Sequence, residues 1–158
     1  MPNGYGRPIT IKHDATADFS SAERMVLIGP KVLVDIGLDP QYRRGQNRPP
    51  NLVRRNLTAL IDTGAMESCI DSQLAAELGL PIIDKTTVVG VHGPKSVNLH
   101  LGHIYIPQLS FPIAGELAGV DLRSMGYGFD ALIGRESLSA LKMTYDGPSG
   151  TVTLGLPD

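Results

Sequence analysis

The segment ALIDTGAMESCID, residues 59–71, constrains the fold of this chain more than any other part of the sequence. It carries an apolar, strand-like run directly into Asp62 and follows that aspartate with Thr63 and Gly64. A carboxylate at the end of a buried strand is costly unless it is paired or used in chemistry. It is therefore either an aspartate that caps a strand-to-turn junction or a carboxylate presented for catalysis.

The composition favours strands and turns over long helices. A chain of 158 residues is long enough for one domain with its own hydrophobic core. It contains 18 Gly and 12 Pro, which break long helices and build turns, and 42% of its residues are hydrophobic. We therefore predict an all-β fold, a single lobe with one or two short helices.

Charge, cysteine count and hydropathy exclude several classes of protein. The formal net charge of -2 provides no field that would attract nucleic acid or an anionic membrane surface. A single cysteine, Cys69, allows neither an intrachain disulfide nor a cysteine metal cluster. The apolar runs are too short to span a membrane, and the N-terminus lacks an apolar signal core. We expect no nucleic-acid or membrane partner and a cytoplasmic location.

Turn signals divide the chain into an arm and a domain. Residues 1–24 are polar and turn-rich, with one strand candidate at PITIK, and are predicted to form a loosely tied N-terminal arm. Residues 25–158 are predicted to form the domain, with a basic, proline-rich loop at 38–56 between two strands. After the Asp62 turn, helical spacing predicts a short helix with Asp71 or Ser72 as its N-cap and Gly79 at its C-terminal end.

Two later segments show turn chemistry of their own. TTVVGVHGPKSV, residues 86–97, places glycines between two β-branched arms and predicts a glycine-tipped hairpin. FDALIGRESLSAL, residues 129–141, predicts an apolar strand that ends in glycine and leads into a helical turn.

Three of these motifs, in this order, resemble the retropepsin-like aspartic protease family. They are LIDTGA at residues 60–65, VVGVHG at 88–93 and ALIGRESL at 131–138, and the resemblance covers roughly residues 31–156. It implies a retropepsin-like acid protease fold that is active as a homodimer. It also implies that Asp62, Thr63 and Gly64 are the catalytic residues, with Thr63 hydrogen-bonding across the dimer.

The chemistry of an aspartic protease requires two carboxylates beside one water. One must be ionised to accept a proton while the other is protonated to polarise the scissile carbonyl. The sequence contains a single Asp-Thr-Gly, so the second carboxylate is expected from a second chain. The substrate is expected to be an extended peptide or protein segment flanked by apolar residues, and no metal or organic cofactor is implied.

The resemblance also assigns binding and supporting roles. Predicted substrate-binding residues are Ala65, Gly90, Val91, His92, Gly93, Phe129, Ala131 and Ile133. Predicted structural support comes from Arg135, Glu67 and Gly134. Met66 stands where retroviral proteases commonly have an acidic residue that pairs with this arginine, so Arg135 is expected to reach Glu67 or backbone carbonyls instead.

Several alternatives remain open from the sequence. The chain is alternatively a catalytically silent retropepsin-like module that dimerises and binds peptides, or an assembly domain that acts through its arginine-rich loop. Cys69 is expected to be a buried structural thiol. His100 and His103 lack a third ligand at regular spacing and are not expected to bind metal, and Asp130 is expected to pair locally.

Overall fold

A computed structural model of the protein describes residues 7–157. The strands are β1 (Ile9–Lys12), β2 (Lys31–Gly37), β3 (Arg54–Ile61), β4 (Cys69–Asp71), β5 (Ile82–Gly90), β6 (Gly93–Ile106), β7 (Phe111–Val120), β8 (Ala131–Ile133), β9 (Lys142–Asp146) and β10 (Thr151–Gly155). The α-helices are α1 (Ser21–Ile28), α2 (Ser72–Glu77) and α3 (Arg135–Leu138), and a 3₁₀ turn covers Pro107–Leu109. The predicted all-β fold with short helices is confirmed.

The strands form two sheets, and the larger one closes on itself. Its seven strands are ordered β2-β3-β8-β4-β7-β6-β5, and an additional pairing of β2 with β6 closes the sheet into a barrel. The smaller sheet has the order β1-β10-β9. A closed sheet leaves few unpaired strand edges, which stabilises short strands such as β4 and β8.

The core lies inside the barrel and follows the alternation of the strands. In β3, Leu57, Ala59 and Ile61 are buried, as their spacing predicts, while Thr58 and Leu60 are half-buried on the opposite face. Buried residues of β2, β6, β8 and β10 join them in one hydrophobic cluster. The alternation of β3 therefore fixes the direction in which the chain enters the Asp62 turn.

The N-terminal segment contacts the rest of the chain at two elements. The strand candidate PITIK is confirmed as β1, which pairs antiparallel with β10. Helix α1 crosses the predicted boundary at residue 24, and its N-terminus is capped by the Ser20 side chain, which accepts a hydrogen bond from the Glu23 amide. Residues 1–6 of the predicted arm lie outside the described residues, and the division of the chain at residue 24 stays a prediction.

The β5–β6 hairpin and helix α2 form as predicted. Gly90 and Gly93 are paired at the hairpin end, which leaves Val91 and His92 as a two-residue loop. Helix α2 begins after Asp71, whose carboxylate accepts a hydrogen bond from the Leu74 amide. Strand β6 then continues past the hairpin and exchanges β5 for β2 as its neighbour, while its register with β7 remains continuous.

Among the described residues, no helix is both long and apolar enough to cross a membrane.

Candidate active site

Asp62 lies where β3 ends, beside the end of a parallel strand. Strand β3 pairs in parallel with β8, and the register Ile61 to Ile133 brings the two carboxyl ends together. The Asp62 amide donates a 2.9 Å hydrogen bond to the Ile133 carbonyl, so the ladder extends one residue beyond the strand. The position of Asp62 is therefore set by the barrel itself rather than by a mobile loop.

The Asp-Thr-Gly turn holds the carboxylate at the protein surface. The Gly64 amide donates a 2.8 Å hydrogen bond to Asp62 Oδ1, and the Ala65 amide donates to the Asp62 carbonyl. A β-carbon on Gly64 would lie 3.1 Å from Asp62 Oδ1, so glycine leaves room for this contact. Asp62 is half-buried while Thr63 and Gly64 are exposed, which leaves the carboxylate accessible to solvent and to a second molecule.

Helix α3 supports the turn through backbone carbonyls. The Arg135 guanidinium donates a 2.7 Å hydrogen bond from Nη1 to the Thr63 carbonyl. The amides of Arg135 and Glu136 donate to the carbonyls of Ala65 and Met66 at 2.9 and 3.0 Å. Of the two predicted contacts of Arg135, the structure shows the one to a backbone carbonyl. No ion pair with Glu67 occurs among the ion pairs of residues 7–157.

Glu136 is a supporting residue that the sequence did not reveal. Its Oε1 accepts hydrogen bonds from the Ser68 amide at 2.9 Å and from the Ser137 hydroxyl at 3.0 Å. The Ser68 hydroxyl in turn accepts a 3.0 Å hydrogen bond from the Gly134 amide. These contacts fasten the Ser68 end of the segment 62–68 to the chain around α3, whereas the Asp62 amide and Arg135 hold its beginning.

Gly134 permits this close packing. A β-carbon there would lie 2.5 Å from the carbonyl carbon of Glu67, a distance that backbone atoms cannot relieve without moving. The φ angle of Gly134 is -90°, so its conformation alone does not require glycine. The contact with the Glu67 backbone requires it instead.

Two of the predicted cleft residues point into the core. Ala131 and Ile133 are both 0% exposed and belong to the hydrophobic core. This corrects the prediction that their side chains line a substrate cleft. Leu132, between them, is half-buried on the opposite face and pairs with Leu60 of β3, which is also half-buried. The apolar surface next to the Asp62 turn is therefore formed by Leu60 and Leu132.

Phe129 lies in an aromatic cluster before β8. Its ring stacks on Tyr127 with the centroids 5.7 Å apart, and the Lys31 ammonium lies 5.8 Å from its centroid. Lys31 also donates a 3.1 Å hydrogen bond from Nζ to the Gly128 carbonyl. The cluster is thus anchored to β2, and Phe129 stays half-buried at the surface.

The hairpin tip predicted to contact substrate is exposed in the chain. Val91 is 100% exposed, and His92 is exposed beside it. Gly93 has a φ of +95°, a value that favours glycine, whereas Gly90 has no positive φ. The backbone requirement for glycine therefore lies at Gly93. The described residues place nothing over Val91.

The acidic residues of neighbouring strands are already engaged. Asp71 Oδ1 accepts hydrogen bonds from the amides of Leu122 and Arg123 at 3.0 and 2.9 Å. Asp130 accepts from the Thr58 amide at 3.0 Å and from Arg123 Nε at 2.9 Å, so its predicted local pairing is confirmed. The hydrogen bond to Asp130 raises the pKa of Arg123, so the guanidinium stays charged beside this carboxylate. Neither carboxylate is presented as Asp62 is.

The thiol and the imidazoles fit structural roles. Burial, followed by the nearby charge of Glu136, raises the pKa of Cys69 to about 11, so the thiolate is scarce at neutral pH. His100 donates from Nδ1 to the Leu80 carbonyl at 3.1 Å, while His103 Nδ1 accepts from the Asp39 amide at 3.2 Å. Burial also lowers the pKa of His103. No group of three metal-ligating side chains occurs in the part of the chain that the structure describes.

Comparison with protein families confirms the resemblance that the motifs indicated. The model of the family described as Aspartyl protease matches residues 54–112. The matched segment contains β3, the Asp62 turn and the β5–β6 hairpin, and ends at the beginning of β7. Asp62 therefore lies within a segment that is similar to the aspartyl protease family.

Two solved structures are similar to the chain. One is the solution structure of Simian Foamy Virus (mac) protease, with 13% identity, a TM-score of 0.43 and coverage of 69% of this chain and 91% of that chain. The other is the crystal structure of the retroviral protease-like domain of Ddi1 from Leishmania major, with 15% identity, a TM-score of 0.42 and coverage of 80% and 94%. Both TM-scores lie below 0.5, and the fold described above rests on the strand order of the chain itself. No curated protein matches the sequence.

Proposed function

We propose that the protein is a homodimeric aspartic endopeptidase that cleaves extended peptide segments flanked by apolar residues. The observation that carries this proposal is the presentation of Asp62. Its backbone is fixed by the β8 ladder, its carboxylate is oriented by the Gly64 amide, and its surroundings are braced by Arg135 and Glu136. Such a rigid, accessible carboxylate is what water activation requires.

The second carboxylate in this proposal is Asp62 of a second copy. Within residues 7–157, Asp71 and Asp130 hold backbone amides and Arg123, and Glu136 holds Ser68 and Ser137. A twofold contact at the Asp62 turn would bring two identical carboxylates together. At about 3 Å and an effective dielectric near 20 they repel by roughly 5 kcal/mol, so the pair retains one proton over a broad pH range.

The shared proton provides both halves of the chemistry. The ionised carboxylate accepts a proton from water as the water oxygen attacks the peptide carbonyl carbon, and the protonated carboxyl donates its proton to the carbonyl oxygen. The resulting tetrahedral diol collapses when the C–N bond breaks: the amine nitrogen takes the proton that the first carboxylate accepted from water, and one hydroxyl of the diol returns its proton to the second carboxylate. A carboxylic acid and an amine leave, and the pair again holds one proton. No covalent link between enzyme and substrate arises in this sequence of steps.

Exposed apolar side chains support self-association near Asp62. The Pro30 carbonyl accepts a 2.9 Å hydrogen bond from the Ile61 amide, which places the end of α1 next to the end of β3. Val26 and Leu27 of α1 are 77% and 64% exposed, and Met66 after the turn is 67% exposed. Apolar surface of this kind is suited to burial against a second copy.

The substrate class follows from the surfaces on either side of the turn. Leu60 and Leu132 present a half-buried apolar face, which suits apolar side chains of a substrate. The exposed tip of the β5–β6 hairpin, with Val91 and His92, is proposed to close over the bound segment as a flap. An extended peptide between the two could pair with the hairpin backbone.

Proteolysis of a denatured protein tests this proposal. Casein is incubated with the protein from pH 3 to 8, with and without a transition-state inhibitor of aspartic proteases, and with Asp62→Asn as the matched control. The proposal requires cleavage by the wild type that both the inhibitor and the substitution abolish. Binding of the inhibitor without any cleavage would instead identify a catalytically silent peptide-binding module.

A further inference from the structure

A trough runs along the barrel on a side that does not include the Asp62 turn. It consists of two adjoining cavities of about 250 and 570 Å³, and no residue from 60 to 67 lines either of them. Residues that line both cavities are Tyr42, Arg44, Phe111, Pro112 and Ala140. We refer to the two together as the β7 trough.

The smaller cavity follows the edge of a strand rather than its face. A cavity over the face of a sheet contacts every second residue of a strand, because side chains alternate. This cavity is lined by every residue from 111 to 117 of β7. Strand β4 pairs with β7 only at residues 118–120, so the edge of β7 before residue 118 has no partner strand in the described chain. An open edge offers a row of backbone donors and acceptors.

The edge also has free space beside it. A β-carbon built on Gly115 of β7 would meet no atom within 4 Å. The cavity is also lined by Tyr42 and by Glu136, Ser137 and Ala140 in and after α3. This geometry leaves room for an added strand between β7 and α3.

Arg44 lines both cavities of the trough, but only the smaller cavity is lined by acidic residues. The larger cavity is lined by Arg44 and Arg48 and by no acidic residue. Arg48 is paired with Asp39, whereas Arg44 is exposed and makes no ion pair within residues 7–157. The smaller cavity is lined by Arg44 and by two glutamates. The carboxylate of Glu136 holds Ser68 and Ser137, whereas Glu116 is exposed and likewise makes no ion pair within residues 7–157. From residue 111 to Glu116 an extended strand rises about 17 Å.

We propose that the β7 trough binds an extended peptide segment of a partner protein, which adds as a strand to the open edge of β7. An acidic side chain of the peptide pairs with Arg44, and a basic side chain about five residues away pairs with Glu116. Apolar side chains between them contact Phe111 and Tyr42. The anionic end at Glu116 disfavours a nucleic acid, whose phosphates would be repelled there.

A labelled peptide provides the test. The probe is a fluorescein-labelled heptapeptide with aspartate at position one, lysine at position six, and valine and threonine between, and binding is followed by fluorescence anisotropy. Saturating transition-state inhibitor of aspartic proteases is present throughout, and the Asp62→Asn protein is measured beside the wild type. If the wild type and the Asp62→Asn protein bind the probe with equal affinity, the probe binds in the trough and not at Asp62.

The charge contacts predict which variants lose the peptide. Arg44→Glu is expected to weaken binding about tenfold or more, and a probe with lysine in place of its aspartate should restore it. Arg55→Glu is the matched control, because Arg55 is exposed, its side chain makes no ion pair within residues 7–157 and it lines neither cavity. It should change the affinity less than about twofold.

Four results would overturn the proposal. One is an equal loss of affinity in the Arg55 and Arg44 variants, or no loss of affinity in either. Another is unchanged binding of a probe methylated at every backbone nitrogen, since such a probe cannot donate to the β7 edge. The third is a change in the sedimentation coefficient on Arg44→Glu, which would assign the trough to contacts between copies of this chain. Displacement of the probe by a single-stranded oligonucleotide at lower concentration than by unlabelled peptide would also contradict it.

Discussion

Replacement of Glu136 tests how the Asp62 turn is held. The Ser68 residue is 1% exposed, and its amide donates a 2.9 Å hydrogen bond to the Glu136 carboxylate. Glu136→Ala removes this acceptor, and a buried donor without a partner costs about 1–3 kcal/mol. For a domain of this size we expect the melting temperature to fall by roughly 2–12 °C.

The consequence for function follows from the geometry of the turn. Ser68 closes the segment that begins at Asp62, and its hydroxyl also holds the Gly134 amide. Release of this end should let the carboxylate depart from its working position, and a misplacement of about 1 Å can cost about a hundredfold in rate. We therefore expect cleavage by Glu136→Ala to fall by at least tenfold under conditions where the protein remains folded.

Two further variants complete this experiment. Glu136→Gln keeps a carbonyl oxygen where Oε1 stands, so it should recover about half of the lost stability. Glu116→Ala removes an exposed glutamate elsewhere and should leave melting unchanged within about 2 °C. Melting curves by circular dichroism are recorded at one fixed protein concentration, since dimer dissociation would otherwise shift them. Equal melting temperatures for wild type and Glu136→Ala would refute the assignment of Glu136 as a support.

Three other predictions concern the hairpin, the basic loop and the thiol. Gly93→Val should lower cleavage of a peptide substrate at least several-fold, because valine is strained at φ +95°. Gly45→Val, at φ +86° in the basic loop, should leave the cleavage rate unchanged. Equal rates for the two variants would exclude a flap role for the hairpin. The hydrogen bond from the Asn51 amide, followed by that from Arg48, lowers the pKa of Asp39 to about 2, so its contribution to stability is complete above about pH 4 and is lost as the pH falls towards 2. Urea unfolding midpoints of the wild type should therefore fall towards those of Asp39→Asn over this range, and a constant gap between the two would contradict the assignment. Because the pKa of Cys69 is raised to about 11, its thiol should react with iodoacetamide at pH 8 at least about a hundredfold more slowly in the folded protein than in urea. Mass spectrometry measures both rates, and similar rates would show an accessible thiolate in the folded protein.

The elements that sequence reasoning placed well are those with local signals. The alternation of Leu57, Ala59 and Ile61 is long enough to fix which face of β3 is buried. The paired glycines Gly90 and Gly93 specify a hairpin without reference to the rest of the chain. In both cases the information lies within about ten residues, where propensity and turn chemistry act directly.

The errors and omissions have identifiable physical causes. Strand β8 has three residues, all apolar, so its pattern cannot tell whether Ala131 and Ile133 or Leu132 face the core. Only the register with β3 settles that choice. Glu136 was overlooked because its partner Ser68 is 68 residues away in sequence. Helix α1 did have a local signal, since Ser20 and Glu23 have the spacing of a capping box.

The basic loop shows the same limit. Its sequence predicts only a basic, proline-rich loop, whereas in the structure Asp39 accepts hydrogen bonds from Gln41, Arg48 and Asn51 and orders the loop from within. Tyr42 is buried against His103, with the two ring centroids 5.5 Å apart. Composition describes the charge of such a loop, but the contacts that order it depend on the strands that it crosses.

Subunit mixing tests the central claim, that each active site contains Asp62 from two chains. A fixed amount of wild type is mixed with increasing amounts of Asp62→Asn chains, and exchange of subunits is verified independently with differently labelled chains. The asparagine variant keeps the volume of the side chain and should fold. Cleavage of a fluorogenic peptide is then measured against the fraction of wild-type chains.

When variant chains outnumber wild-type chains about three to one and subunits exchange freely, each wild-type chain should have a wild-type partner in about one quarter of cases. The cleavage rate should then fall to about one quarter of the rate without the variant. A rate that stays constant as the variant is added, while exchange is demonstrated, would contradict a carboxylate pair shared between two copies of Asp62.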